Sequence, residues 1–254
     1  MKRKVQKTSQ DKLLKLNVLY YTTIQGNKPY NEDVFGMSPY YCWLLDGATD
    51  IFNENPFNRD NSVQWYMHNL NKFIDESRLH YAYNRLSFPF ILHHAVKQLY
   101  SKLPNTLLPN YAMPTYTVAS VQAGRDNISA YILGDSFIYH LHNDKVAVYT
   151  DTRLQEYKVS LGHKPYEVLP LEEQRRIRSC ANQEGTFAIG TVDGKFLHSG
   201  KNYVIPVQHG DRLIIASDGF TPDLSMDMFQ EETIKTYVSE HHNSDDCSVI
   251  LLGV

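Results

Sequence analysis

Tyr40-Tyr41-Cys42-Trp43-Leu44-Leu45-Asp46-Gly47 is an apolar run that stops at a carboxylate and a glycine. Such a run reads as a buried strand that carries an acid to its own end. The glycine lets the backbone turn there and come close to whatever the acid holds. The same device recurs where Leu213-Ile214-Ile215-Ala216-Ser217 runs into Asp218-Gly219. Two strands with aspartates at their tips point to a site where carboxylates converge, and that residue type points to a metal.

The chain has 254 residues, 42% of them hydrophobic and 21% charged. At that length a globular domain buries most of its surface without staples. The formal net charge of −3 gives no basic field, so neither nucleic acid nor an anionic membrane is expected as a partner. Cys42, Cys180 and Cys247 are odd in number and lack metal-ligand spacing. They read as reduced thiols of a cytoplasmic protein. No apolar run reaches the roughly 18 residues that span a bilayer. The basic N-terminus (Lys2, Arg3, Lys4, Lys7) has no apolar stretch after it. Residues 1–15 therefore read as a solvated tail and not as a signal peptide.

Residues 16–23 are rich in β-branched and aromatic types and read as a strand. The polar loop after them carries Lys28 and the adjacent acids Glu32 and Asp33. Beyond Asp46 the period changes. Val63, Tyr66, Met67, Leu70, Phe73 and Ile74 recur at helical spacing, with Asp60-Asn61-Ser62 as N-cap candidates. Leu92, Ala95, Val96, Leu99 and Leu103 mark a second helix, opened by Ser87 with Pro89 in its first turn. Its neighbouring His93 and His94 cannot share one helix face and read as ordinary histidines.

Four short strands follow, at 115–121, 128–133, 137–141 and 146–149. The breaks between them, including Gly134-Asp135-Ser136, are of hairpin length and predict antiparallel neighbours. Residues 151–200 read as a flap-like insert, with a charged helix from Pro170 to about Cys180 and a hairpin turn at Asp193-Gly194. A strand at 212–216 ends at Asp218. A helix from about Ser225 to Glu240 follows, with His241 and His242 placed to complement its dipole. The last strand, 247–252, begins after Asp245-Asp246. About nine strands and four or five helices, with no repeat and no linker, predict one α+β domain over 1–254.

Glu32, Asp33, Asp46, Asp135, Asp218, Asp245 and Asp246 each stand at a strand mouth or in the loop beside one. Hard cations such as Mg²⁺ and Mn²⁺ take oxygen ligands of this kind, and the Gly47 carbonyl can add a neutral one. Histidine and cysteine are absent from the set, which argues against zinc there. Asp-Gly is also ordinary turn chemistry, and Asp193-Gly194 is read as only that. What favours a site is the ordered series Asn-Glu-Asp, apolar-Asp-Gly, Gly-Asp-Ser, Ala-Ser-Asp-Gly and Asp-Asp-x-Ser-Val-Ile.

From about residue 16 onward, this series resembles the metal-dependent serine/threonine protein phosphatases of type 2C, in their short bacterial-like form. The resemblance implies an α-β-β-α sandwich of two antiparallel sheets flanked by helix pairs. It implies that Asp46 bridges two metals, with Gly47, Glu32 and Asp33 on one ion and Asp218 and Asp245 on the other. Asp246 stands where the family usually has asparagine, and Asp135 matches a ligand of a weaker third ion. The implied reaction is hydrolysis of phosphoserine or phosphothreonine by a hydroxide bridging two Mn²⁺ or Mg²⁺ ions about 3.5–4 Å apart. The implied partner is a phosphoprotein, the target of a serine/threonine kinase, and the protein is expected to act as a cytoplasmic monomer.

Three positions depart from the family pattern. Lys28 stands where an arginine usually binds phosphate, and it lacks the guanidinium fork. Ala48 replaces a histidine that some members place two residues after the bridging aspartate. Pro222 replaces an aspartate, and Asp223 one residue later reads as a helix cap. Lys28 and Ala48 keep a second reading open, a non-catalytic relative that binds metal and phosphoprotein as a regulator. An N-terminal-nucleophile hydrolase shares the layered look, but no Ser, Thr or Cys opens the first strand.

Overall fold

The computed structural model describes residues 13–50, 52, 54–80, 86–104, 110–162, 169–241 and 245–254. The opening apolar run is strand β3 (Tyr41–Ala48). Its side chains are buried on both faces, which is why the run is continuous and not alternating. Trp43 and Leu45 point to a core shared with helices α1 (Ser62–His80) and α2 (Phe88–Tyr100). Cys42 and Leu44 point the other way, into a core between two sheets.

One antiparallel sheet has six strands. It runs β2 (Val34–Met37), β3, β4 (Thr115–Ala123), β5 (Asn127–Leu133) and β9 (Lys201–Pro206), with β8 (Gly190–Thr191) paired to β4. The other has five strands, also antiparallel. Its order is β1 (Asn17–Ile24), β11 (Cys247–Gly253), β10 (Arg212–Ala216), β6 (Phe137–His142) and β7 (Lys145–Tyr149). Its outer face packs on α5 (Glu231–Glu240) and on a 3-10 turn at Met226–Phe229. The layers are therefore α-β-β-α, as expected.

Local chemistry sets the helix ends. Asn61 wins the cap of α1: its Oδ1 accepts from the Gln64 N–H at 2.7 Å. Ser87 precedes α2 in an extended conformation, with Pro89 inside the first turn. His241 Nδ1 lies 2.9 Å from the Tyr237 carbonyl at the end of α5. His242 falls outside the described residues.

Several expectations are corrected. Gly134-Asp135-Ser136 is not a hairpin. It carries the chain from β5 in one sheet to β6 in the other. Gly134 makes the crossing at φ +85°, where a Cβ would also meet Thr117 at 2.6 Å. Strand β9 and helix α3 (Arg153–Ser160) lie in stretches where neither is expected. No residue of α3 is fully buried; Leu154 and Tyr157 pack only partly buried on a small cluster, which leaves a short, weak stripe to read.

The stretch read as an insert at 151–200 divides in two. α3 and α4 (Leu171–Cys180) stand apart over a small cluster of Ile177, Phe187 and Ile189. Ala188, Val192 and Leu197 instead join the core under α2. Asp193-Gly194 is a turn, closed by Gly194 N–H to Thr191 O at 3.0 Å, but it joins no hairpin because β8 pairs with β4. Asp223 is exposed and caps nothing: α5 starts eight residues later, behind Gln230.

Candidate metal centre

The strand register brings the acids to one end of the sandwich. Asp46 pairs with Thr117 near the start of β4, and Val118 pairs with Leu133 at the end of β5. Asp135 follows immediately. Phe137 then pairs with Ala216 at the end of β10, and Ala216 pairs with Val249 near the start of β11. Asp218 and Asp245 lie just outside those two ends. β1 finishes at Ile24, opposite Cys247, and the loop beyond it delivers Lys28, Glu32 and Asp33. Asp33 directly precedes Val34, which pairs with Leu45.

A cavity of about 480 Å³ opens over this end. Lys28, Asp46, Gly47, Asp135, Asp218 and Asp245 line its floor. Residues of α3 and α4, among them Leu154, Lys158 and Ile177, line one wall. Glu32 and Asp33 sit behind the floor, both buried. Gly47 is where the site is tightest. A Cβ there would meet Val63 and Met67 of α1 and the Glu32 carbonyl, all within 3.0 Å.

The electrostatics are those of crowded acids. Burial pushes the Asp46 carboxyl well above its usual range, and Asp33, Asp218, Asp245 and Asp135 push it further. Burial raises Asp218 to about 8, with Asp135 and Asp245 adding and Lys158 opposing. Asp33 rises to about 7 through burial, against the pull of the nearby Ser248 and Ser217 hydroxyls. Asp46 keeps part of its surface open to the cavity, but the carboxylates around it leave it little favourable solvation.

Asp33 is the informative case. Neither of its buried oxygens meets a donor in hydrogen-bond geometry. Ser217 Oγ accepts from the Ser248 N–H, and Ser248 Oγ donates to Thr23 Oγ1. A buried carboxylate without a donor is costly, and a hard cation supplies what it lacks. The all-oxygen donor set, the bare Gly47 backbone and the unsatisfied Asp33 together fit Mn²⁺ or Mg²⁺.

Not every predicted ligand faces the cavity. Glu32 is fully engaged: Thr49 Oγ1 donates to Oε2 at 2.5 Å and Asn61 Nδ2 donates to Oε1 at 2.9 Å. Burial raises its carboxyl, against the pull of those two donors. Lys28 Nζ lies 2.5 Å from Asp245 Oδ1 and 3.8 Å from Glu32 Oε2. Burial alone lowers an ammonium pKa, yet the hydrogen bond and charge of Asp245 carry Lys28 up to about 12. Lys158 reaches from α3 to Asp135 at 3.4 Å.

Asp246 was singled out in the sequence, but its task is structural, and Lys158 was missed. Asp246 is buried and faces away from the cavity. Its Oδ1 accepts from the Gly26 N–H at 2.9 Å and its Oδ2 from the Glu32 N–H at 2.7 Å. It ties the 26–32 loop to β11, and an aspartate in place of the expected asparagine was the available signal. Lys158 gave no signal, since α3 itself was not read.

No protein-family model and no curated protein sequence matches this chain. Solved structures do. The serine/threonine phosphatase PstP/Ppp of Mycobacterium tuberculosis superposes with a TM-score of 0.62 at 13% identity, over 95% of this chain and 99% of that one. The PPM Ser-Thr phosphatase MsPP from Mycobacterium smegmatis, in complex with cacodylate, gives 0.61 at 16% identity, over 93% and 99%. The catalytic domain of PstP in complex with two manganese ions gives 0.59 at 13% identity, over 94% and 98%. At such identities what is shared is the fold. This chain has the fold of the PPM-type serine/threonine phosphatases.

Proposed function

We propose that this protein is a metal-dependent phosphatase acting on phosphoserine and phosphothreonine in proteins. One observation carries the reading. Asp33, Asp46, Asp135, Asp218 and Asp245 come from separate strand ends of both sheets to one place, where burial and neighbouring carboxylates raise the Asp33, Asp46 and Asp218 carboxyls. Repulsion on that scale is retained where a cation offsets it. The likeness to phosphatases, one of them holding two manganese ions, supports the same reading.

Asp46, Asp33, Asp218, Asp245 and the Gly47 carbonyl would hold two Mn²⁺ or Mg²⁺ ions, with Glu32 fixed behind them. Asp135 would serve a weaker third ion. Bound metal supplies Lewis-acid stabilisation of phosphoryl charge and a water that loses its proton near neutral pH. The chain does the rest. Lys28 places a cation at the cavity floor for a phosphoryl oxygen. Ala48 leaves no side-chain acid at its position, so the leaving serine or threonine oxygen takes its proton from solvent. The wall of α3 and α4 gives the residues flanking the phosphate an apolar surface. The substrate is a phosphoprotein made by a serine/threonine kinase, met in the cytoplasm by a monomer. No helix among the described residues is long and apolar enough to cross a membrane.

The test is hydrolysis of an aryl phosphate and of a phosphothreonine peptide with Mn²⁺, with Mg²⁺ and with EDTA. Turnover that EDTA abolishes and Mn²⁺ restores is expected. Turnover that survives EDTA overturns the mechanism. Metal binding without turnover favours the second reading, a phosphoprotein-binding regulator, for which the pinning of Lys28 by Asp245 is the specific argument.

A further inference from the structure

At the other end of the same sandwich lies a cluster that the carboxylate site does not use. β6 alternates, so Ile138, His140 and His142 share its inner face. Ile138 is buried in the core between the sheets. Two residues on, the aliphatic pattern gives way to imidazoles. Arg212 pairs with Leu141 and Leu213 with His140, so the residue before β10, Asp211, falls opposite His142 and on the same face. The β6 strand separates this cluster from Asp135 by about 17 Å, at roughly 3.3 Å per residue.

The three side chains converge. His140 Nε2 is 2.9 Å from Asp211 Oδ2, and His142 Nδ1 is 3.0 Å from both Asp211 oxygens. The ligating atoms of all three lie within 4.8 Å of one another. His140 and Asp211 are buried, while His142 is 41% exposed and opens the cluster to solvent.

Both ring nitrogens aim at the one Asp211 carboxylate, which also accepts from the Gln208 N–H at 3.1 Å. A divalent ion can take the place of the two ring protons between them. Ligands about 2.0–2.2 Å from one ion stand roughly 3.0–3.4 Å apart, close to the two spacings found.

We propose that His140, His142 and Asp211 form a second metal site, for a divalent transition ion of the zinc class. Two imidazole nitrogens and one carboxylate oxygen suit Zn²⁺, Co²⁺ or Ni²⁺ and not Mg²⁺. Water on the His142 side completes the coordination. The outer shell is built as well. His142 Nε2 lies 2.9 Å from the Asn143 amide, whose Oδ1 accepts from Gln208 Nε2 at 2.9 Å. Turning these amides over gives the ring N–H an acceptor, as a metal-bound histidine requires. Asn143 and Asp144, at φ +48° and +61°, make the tight β6–β7 turn that holds this shell. The ion would clamp β6 to the segment before β10. This proposal stands apart from the phosphatase reading and shares no residue with it.

The experiment uses the full chain, stripped of metal, ¹⁵N-labelled at histidine and kept in excess Mg²⁺. Zn²⁺ is then titrated. One equivalent is expected to move the ring-nitrogen signals of two of the eleven histidines and to raise Tm by about 5 °C. Both effects are expected to vanish in His142→Ala, whose half-exposed position spares the core. Asp211→Asn is expected to weaken Zn²⁺ at least about tenfold. Ring signals that ignore Zn²⁺ in the natural chain, or that move equally in His142→Ala, overturn the proposal.

Discussion

The Lys28 ammonium donates to the Asp245 carboxylate at 2.5 Å, across 217 residues of chain. Asp245 is itself 45% exposed, and both partners line the cavity. Lys28 is thus held by an acid of the proposed metal site. Lys28→Ala is expected to raise KM for an aryl phosphate about tenfold with a smaller change in kcat, as for loss of one charge-assisted contact. Lys28→Arg keeps KM at or below its natural value, because a guanidinium adds a second donor. An unchanged KM in Lys28→Ala removes the residue from phosphate binding.

Asp33→Asn separates stability from function. It removes a buried carboxyl whose oxygens have no donor and which repels Asp46. The metal-free protein is expected to unfold at higher urea, while Mn²⁺ affinity falls at least about tenfold. Calorimetric titration together with urea curves checks both. A variant less stable than the natural chain without metal refutes the repulsion account.

The pH dependence follows with its sign. Asp33 and Asp218 have folded pKa values near 7 and 8, raised from 3.8. Between about pH 4 and 8 the folded state therefore holds more protons than the unfolded one, and stability falls as pH rises. Their contribution is fully present below about pH 4 and gone above about pH 8. In EDTA the urea midpoint is expected to drop steadily from pH 5 to pH 8.5. Saturating Mn²⁺ takes over from the protons and flattens that slope.

Asp246 has a structural task, and its variants differ accordingly. Asp246→Ala strands the N–H groups of Gly26 and Glu32 and is expected to cost about 3 kcal/mol. Asp246→Asn keeps one acceptor and is expected to cost about 1 kcal/mol. Chemical denaturation ranks the two, and equal costs would mean that the loop does not depend on this carboxylate.

Much of this architecture is legible in the sequence because burial writes itself into periodicity. β3 and β10 sit beneath cover on both faces, so their apolar runs are continuous and their closing aspartates stand out. α1 and α2 show their stripes for the same reason. α3 is hard to see because Leu154 and Tyr157 are only partly buried and nothing in it is fully so. β9 is a sheet edge whose Tyr203 and Ile205, with Val207 just beyond, face the core, but the exposed Val204 between them masks the alternation. Sequence distance also hides direction: Glu32 and Asp33 are adjacent, yet Glu32 spends its oxygens on Thr49 and Asn61 while Asp33 spends none. Gly134-Asp135-Ser136 misleads because three turn residues look alike whether the chain reverses within a sheet or leaves it.

That crossing makes the carboxylate cluster a gauge of how the halves of the sandwich dock. Asp46 travels with one sheet, Asp218 and Asp245 with the other, and Asp135 rides the bridge between them. A slip of one sheet over the other changes every separation between these carboxylates, although none of them has been touched. Leu44 and Ile215, buried in the layer between the sheets, thus shape the proposed metal site as much as the aspartates that follow them in sequence.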